Sequence, residues 1–264
     1  MMRTKLVAGN WKMNMTQAEA EAAVESFIKF VDAKSNVDVV VCPPYLAIHH
    51  VAEVLHHTHV KVGAQDVFWL DKGAFTGRVS APMLSAADVS FCIVGHSETR
   101  GRFGKMEVAE STLSAFGDTD EIVNLKLKAL LYHSINPIVC VGETAAERAC
   151  GTTDQVIEAQ LRGAFAGVDP AELYFSSVAY EPVWAIGTGD TCDSAEASRV
   201  CGMIRLCLAS ILDANVADHV RILYGGSVKS SNSAELFSQP DIDGGLVGGA
   251  SLDPKEFSLI VMSA

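Results

Sequence analysis

Eight short β-rich runs, most of them followed by a helical pattern, constrain this chain more than anything else in it. They lie at residues 5–8, 38–42, 60–64, 91–94, 137–141, 175–180, 221–224 and 244–247. Most are apolar from end to end, without the alternation of a strand that has one wet face, so both faces must be covered. The clearest helical patterns between them span 17–30, 46–57, 121–133, 154–165, 195–212 and 254–262, while those after the third and seventh runs are weakly signalled. Parallel strands separated by helices either close into a (β/α)8 barrel or stay open as a doubly wound sheet, and a count of eight favours the barrel. No Pro/Gly/Ser-rich linker breaks the order, so residues 1–264 are expected to form a single α/β domain. The units share little sequence, and the repeat is one of secondary-structure order only.

The formal net charge is −12. Such a field repels polyanions and anionic bilayers, so neither a nucleic-acid nor a membrane partner is expected. A small anionic ligand would need a local cluster of positive groups. The seven cysteines are odd in number and contain no Cys-x-x-Cys pair. Several sit inside apolar patterns, as reduced buried thiols do, and the N-terminal residues lack the apolar run of a signal peptide. A cytoplasmic location is the expectation.

Barrel enzymes carry their chemistry where strands end, and the strand-end residues here are distinctive. The sixth run leads into Ala-Tyr-Glu-Pro-Val-Trp-Ala-Ile-Gly-Thr-Gly at 179–189. Pro182 pushes the residue before it towards extended geometry, which holds Glu181 as a strand-end side chain. The loop beyond it combines Trp184, Ile186 and two glycines, the composition of a hinged lid. A lone carboxylate under a lid suits proton abstraction in a site that must exclude water, and the alternative is a surface carboxylate beside a mobile loop. After the first run, Gly9-Asn10-Trp11-Lys12 offers a cation able to meet a phosphate and a developing oxyanion. After the fourth, Gly95-His96-Ser97-Glu98 sets an imidazole directly beyond an apolar strand. His96 could act there as electrophile, proton shuttle or metal ligand. No second histidine or carboxylate stands at zinc-ligand spacing from it, which argues against a metal. Glu98 could pair with Lys12 and hold it in place.

The seventh and eighth runs end in Tyr224-Gly225-Gly226-Ser227-Val228 and Gly245-Leu246-Val247-Gly248-Gly249-Ala250. Glycines let backbone N–H groups approach an anion closely, so two such turns at consecutive strand ends mark a phosphate site. His49, His50, His56, His57 and His59 form the other conspicuous cluster. With no lid, glycine loop or carboxylate expected beside them, they read as solvated helix surface rather than metal ligands.

Taken together these residues resemble the triosephosphate isomerase family over nearly the whole chain. The similar segments are 8–14, 63–65, 73–77, Gly95-His96-Ser97-Glu98, Cys140-Val141-Gly142-Glu143, the lid run at 179–189 and 224–228, in family order. The resemblance implies a TIM barrel that interconverts dihydroxyacetone phosphate and glyceraldehyde 3-phosphate with neither cofactor nor metal. It implies that Glu181 is the base, that His96 polarises the carbonyl as a neutral imidazole, and that Lys12 and Asn10 stabilise the developing charge. Backbone amides of Gly187, Ser227, Gly248 and Gly249 would hold the phosphate, and Ser97 would hold the Glu181 carboxylate while the lid is open. A homodimer is implied through the loop around residues 65–84, which would carry Thr76 to the partner subunit to help order Asn10 and Lys12.

The chain also departs from the family. His-Ser-Glu-Arg-Arg reads His96-Ser97-Glu98-Thr99-Arg100, and Phe-Gly-Glu-Thr-Asp-Glu reads Phe116-Gly117-Asp118-Thr119-Asp120-Glu121. The loop between, around residues 103–117, is longer than usual, as a surface elaboration would be. Thr-Gly-Glu reads Thr76-Gly77-Arg78, and the far lid hinge is Asp190-Thr191-Cys192 in place of Lys-Thr-Ala. Two other readings stand beside the isomerase: another phosphate-binding barrel enzyme, and a catalytically silent binding barrel. A Schiff-base aldolase needs a lysine within a barrel strand, where the sixth run leads to Glu181. A silent barrel predicts the loss of Lys12, His96 or Glu181, and all three are present.

Overall fold

The strands divide their side chains between two separate cores. The computed structural model describes residues 3–31, 36–105 and 108–264. Its strands are β1 (Lys5–Asn10), β2 (Val37–Cys42), β3 (Lys61–Ala64), β4 (Phe91–Val94), β5 (Asn136–Val141), β6 (Ser177–Tyr180), β7 (Arg221–Tyr224) and β8 (Gly244–Val247). In β1, Leu6 and Ala8 belong to one buried cluster and Val7 to the other. In β5, Ile138 and Cys140 separate in the same way from Val139 and Val141. The smaller cluster, completed by Val40, Cys42, Phe91, Ile93, Ala179, Leu223 and Leu246, fills the barrel interior. The larger cluster lies between the strands and their surrounding helices. The period of two in a strand thus explains the continuous apolar runs, because inward and outward positions are both buried.

Every neighbouring pair is parallel, and the order runs β1 through β8 and back to β1. Closure sets Leu6 opposite Gly244. Gly244 has φ 133°, and a Cβ there would overlap the Leu6 backbone, so only glycine fits.

The helices are α1 (Gln17–Val31), α2 (Ile48–Leu55), α3 (Ala81–Ser85), α4 (Asp120–Tyr132), α5 (Ala145–Ala149), α6 (Thr153–Ala164), α7 (Ser194–Ile211), α8 (Ala214–His219), α9 (Ser233–Phe237) and α10 (Pro254–Met262). Local chemistry starts several of them. Thr119 and Asp193 accept backbone N–H groups at the starts of α4 and α7, and Thr144 and Glu147 form a capping box on α5. The weak signals after β3 and β7 reflect helices of only five residues. Two expected segments change. The 46–57 pattern becomes a 3-10 turn, Tyr45–Ala47, followed by α2, and the sixth strand starts at Ser177, leaving Phe175 71% exposed before it. The short helices α5 and α8 and the 3-10 turn Glu110–Ala115 carry too few residues to show a period.

Among the described residues no helix is long and apolar enough to cross a membrane. The seven cysteines are free, Cys150 exposed and the rest buried. Truncating an inward side chain, as in Leu223→Ala, is expected to cost about 2–5 kcal/mol of unfolding free energy, through lost burial and the cavity left behind. Denaturant unfolding checks this, and a loss below about 1 kcal/mol would contradict the interior placement.

Candidate active site

The inward parity that packs the barrel continues past the strand ends. Counting by two from Ala8 reaches Asn10, from Ala179 Glu181, from Leu223 Gly225, and from Leu246 Gly248. All four line one cavity of about 320 Å³ at the C-terminal mouth. From Ile93 the same count gives Gly95, whose φ of 66° turns the chain so that His96 faces the cavity instead. Lys12, Gly187, Ser227 and Gly249 complete the lining from the loops. Of the expected substrate-side residues, all therefore converge on one space.

Lys12 sits at φ 52°, a left-handed conformation that costs a non-glycine residue on the order of 1 kcal/mol. Two neighbours hold it there. Asn10 Oδ1 accepts the Lys12 N–H at 3.0 Å, and Gln65 Nε2 donates to the Lys12 carbonyl at 2.8 Å and to that of Cys42 at 2.9 Å. Glu98 Oε1 lies 2.5 Å from Lys12 Nζ and fixes the ammonium at the cavity wall.

Glu181 is 1% exposed. Its N–H donates to the Val141 carbonyl at 2.7 Å, its Oε2 accepts the Ser97 N–H at 2.9 Å, and its Oε1 lies 2.8 Å from His96 Nε2. The Glu98 N–H donates to His96 Nδ1 at 3.2 Å. A ring nitrogen that accepts carries no proton, so the His96 proton resides on Nε2, on the side of Glu181 and the cavity. Burial acts to raise the pKa of Glu181, but His96, the Ser97 N–H and the Lys12 ammonium outweigh it and hold the carboxyl below its ordinary value. The result is an ionised carboxylate, an imidazole and a cation around one small space.

The opposite end of the cavity is backbone. Asn232 Nδ2 donates to the Ser227 carbonyl at 3.0 Å and shapes the turn after β7, and the 3-10 turn Gly249–Leu252 follows β8. Such main-chain turns suit an anion.

A scan against family models matches residues 5–264 to triosephosphate isomerase. The chain belongs to the triosephosphate isomerase family. Among curated relatives, the triosephosphate isomerase of Trichlorobacter lovleyi is 48% identical over 260 residues, covering 98% of both proteins. That of a Synechococcus strain is 47% identical over 265 residues, covering 98% of this chain and 95% of the relative. That of a Roseiflexus strain is 45% identical over 260 residues, covering 98% and 97%.

Several family departures acquire a physical account. Asp118, with Thr99 where the family has arginine, is neutralised by Lys126 of α4. That ammonium is 3% exposed and lies 2.7 Å from Asp118 Oδ2 and 2.7 Å from Asp66 Oδ1. Nothing in the α4 sequence pattern distinguishes Lys126 from a solvated lysine. Arg78 places its guanidinium 5.7 Å from the Phe68 ring centre, on the exposed loop after β3. Thr76 is on the same exposed loop and lies outside the cavity of its own chain.

Sequence reasoning named one further residue, in the segment Cys140-Val141-Gly142-Glu143, but gave it no role. Glu143, fully buried beyond β5, accepts from Trp184 Nε1 at 2.8 Å and Tyr180 Oη at 3.2 Å, and burial pushes its carboxyl up. Its position just past a strand end was the available signal. One expectation is corrected: the histidine cluster does have a carboxylate, Glu53, 3.7 Å from His49 and one helical turn away. Both side chains are largely solvated, and no group of three or more metal-binding side chains is found among the described residues.

The lowered pKa sets a stability window. A carboxyl that is easier to ionise when folded contributes stability above its unfolded value, 4.5, and loses that contribution as pH falls through the folded value. Isotope-edited NMR of the glutamate carboxyl carbons, assigned with Glu181→Gln, should show Glu181 ionised at pH 4.5; half-protonation above that pH would contradict the ordering of forces.

Proposed function

We propose that this cavity interconverts dihydroxyacetone phosphate and D-glyceraldehyde 3-phosphate by proton transfer through an enediol(ate), with residues 1–264 acting as one catalytic domain. The observation that carries the reading is the approach of Glu181 to His96 at 2.8 Å, with Lys12 and Asn10 on the same cavity wall. A proton next to a carbonyl is weakly acidic. Its removal needs a base on one side of a small substrate and a stabiliser of the oxyanion on the other. Glu181 would take the proton from one carbon and return it to the next. The His96 Nε2–H would donate to the carbonyl oxygen, and Lys12 with Asn10 would stabilise the charge that develops there. Ser97 holds Glu181 at rest through its backbone N–H, and Glu98 holds Lys12.

The phosphate would rest on backbone N–H groups of Gly187, Ser227, Gly248 and Gly249. In water an enediolate beside a phosphate ester loses phosphate, so the lid, by covering the intermediate, protects the product. The reaction moves protons and is redox-neutral, so it calls for no cofactor. The strand lysines, Lys5 and Lys61, stand at the first positions of β1 and β3, at the end remote from the cavity, which disfavours a Schiff-base aldolase. The activity would serve glycolysis and gluconeogenesis in the cytoplasm.

A homodimer through the loop around residues 65–84 fits the surface. Met13, Leu46, Met83 and Phe75 are exposed large apolar side chains, and a second cavity of about 270 Å³ beside Lys12 is bounded by Met13, Tyr45, Gln65 and Glu98. The loop tip of a second copy, bearing Thr76, would fill it.

Purified protein should interconvert the two triose phosphates in a dehydrogenase-coupled assay without added metal. Glu181→Asp should keep the fold and lower turnover on the order of a hundredfold, because the carboxylate withdraws by about 1 Å; near-native turnover would remove Glu181 as the base. Activity should also fall on dilution as the dimer dissociates, and a fully active monomer in sedimentation would exclude the role given to Thr76.

A further inference from the structure

The extended loop after β4 touches the lid. It is anchored on both sides of the contact. Arg102 donates its backbone N–H to the Ser97 carbonyl at 2.9 Å, and its guanidinium to the Gly142 carbonyl at 3.1 Å and to Glu147. The returning strand of the loop is tied back by the Asp118 N–H, which donates to the Thr99 carbonyl at 3.1 Å, and by Phe116, whose ring meets Phe103 edge-on at 5.3 Å. Gly104 lies between these anchors, facing the first turn of the lid. A methyl group on it would overlap the carbonyl oxygens of Val183 and Ile186 and come 3.2 Å from Thr188 Cγ2. On its other side the same lid turn is held by Trp184, which donates to Glu143 and carries the Arg148 guanidinium 4.1 Å over its ring. Residues 187–191, the lid tip, are exposed, and Glu181 still accepts from Ser97. The lid is therefore in its resting position, seated between α5 and Gly104.

We propose that Gly104 is a positioning residue for the lid: the space left by its missing side chain is the seat of the resting lid, and so sets how readily the lid closes over substrate. This rests on the catalytic reading above. Closing carries the tip across the cavity and takes Ile186 and Thr188 off the seat. The resting lid sets all three of Val183, Ile186 and Thr188 against a methyl group at 104 and the closed lid only Val183, so filling the seat penalises the resting position more and the closed population rises. Gly104 has a negative φ, so alanine is admissible to its backbone and the effect is steric.

The test compares Gly104→Ala with Gly117→Ala, a matched change in the same loop where a methyl group meets nothing within 4 Å. The ligand is 2-phosphoglycolate, whose carboxylate mimics the enediolate. Gly104→Ala should bind it about three- to tenfold more tightly, with KM falling by more than kcat changes, while Gly117→Ala behaves as the unsubstituted protein. Unchanged or weaker binding in Gly104→Ala overturns the proposal; a purely structural defect would lower Tm and weaken binding. Hydrogen exchange on the unsubstituted protein covers a variant that does not fold. The ligand should slow the amides of 183–188 and speed those of 102–104, and unaltered exchange at 102–104 equally overturns it. Failure of the unsubstituted protein to turn over triose phosphate would instead remove the catalytic reading.

Discussion

Closing β8 onto β1 is the constraint on which the rest of the molecule depends. A parallel sheet left open exposes two edges of unpaired backbone, and closure pairs them with each other. It also brings eight strand ends around one mouth, including those of β1, β4 and β6, which are far apart in sequence. The requirement is local as well as global, since the register that seats Leu6 against Gly244 leaves no room for a side chain at Gly244. Inside, alternate residues of each strand fill the tube, and the next inward residue at each mouth is free of packing duty. The cavity is lined by those residues.

The cavity concentrates features that would be costly elsewhere. A glutamate with 1% exposure is kept ionised, and a lysine is held in a left-handed backbone conformation. Neither persists on its own preference. The carboxylate depends on an imidazole, a backbone N–H and a cation arriving from two other strands. The lysine depends on an asparagine two residues before it and a glutamine from the end of β3. Preorganisation of this kind needs a rigid frame, and the barrel supplies it.

The departures from family pattern fall on loops, away from the barrel interior. Lys126 reaches from α4 to neutralise Asp118 and Asp66 together, near the third and fourth loops. The lengthened loop after β4 returns to its starting point through Thr99 and Phe103, so the barrel register on either side is undisturbed.

The sequence by itself determined the eight strands and the principal helices, and set Asn10, Lys12, His96 and Glu181 at or just beyond strand ends, because apolar runs, a proline after a carboxylate and paired glycines are local signals. Short elements such as α5 and α8 escaped it for want of a full period. Only the tertiary structure decided which residues meet. The buried acceptor role of Glu143, the grip of Gln65 on Lys12, the Lys126 ion cluster and the contact of Gly104 with the lid all join residues distant along the chain. A contact of that kind depends on how the closed sheet orients several strand ends at once, and no local pattern of residue types encodes that orientation.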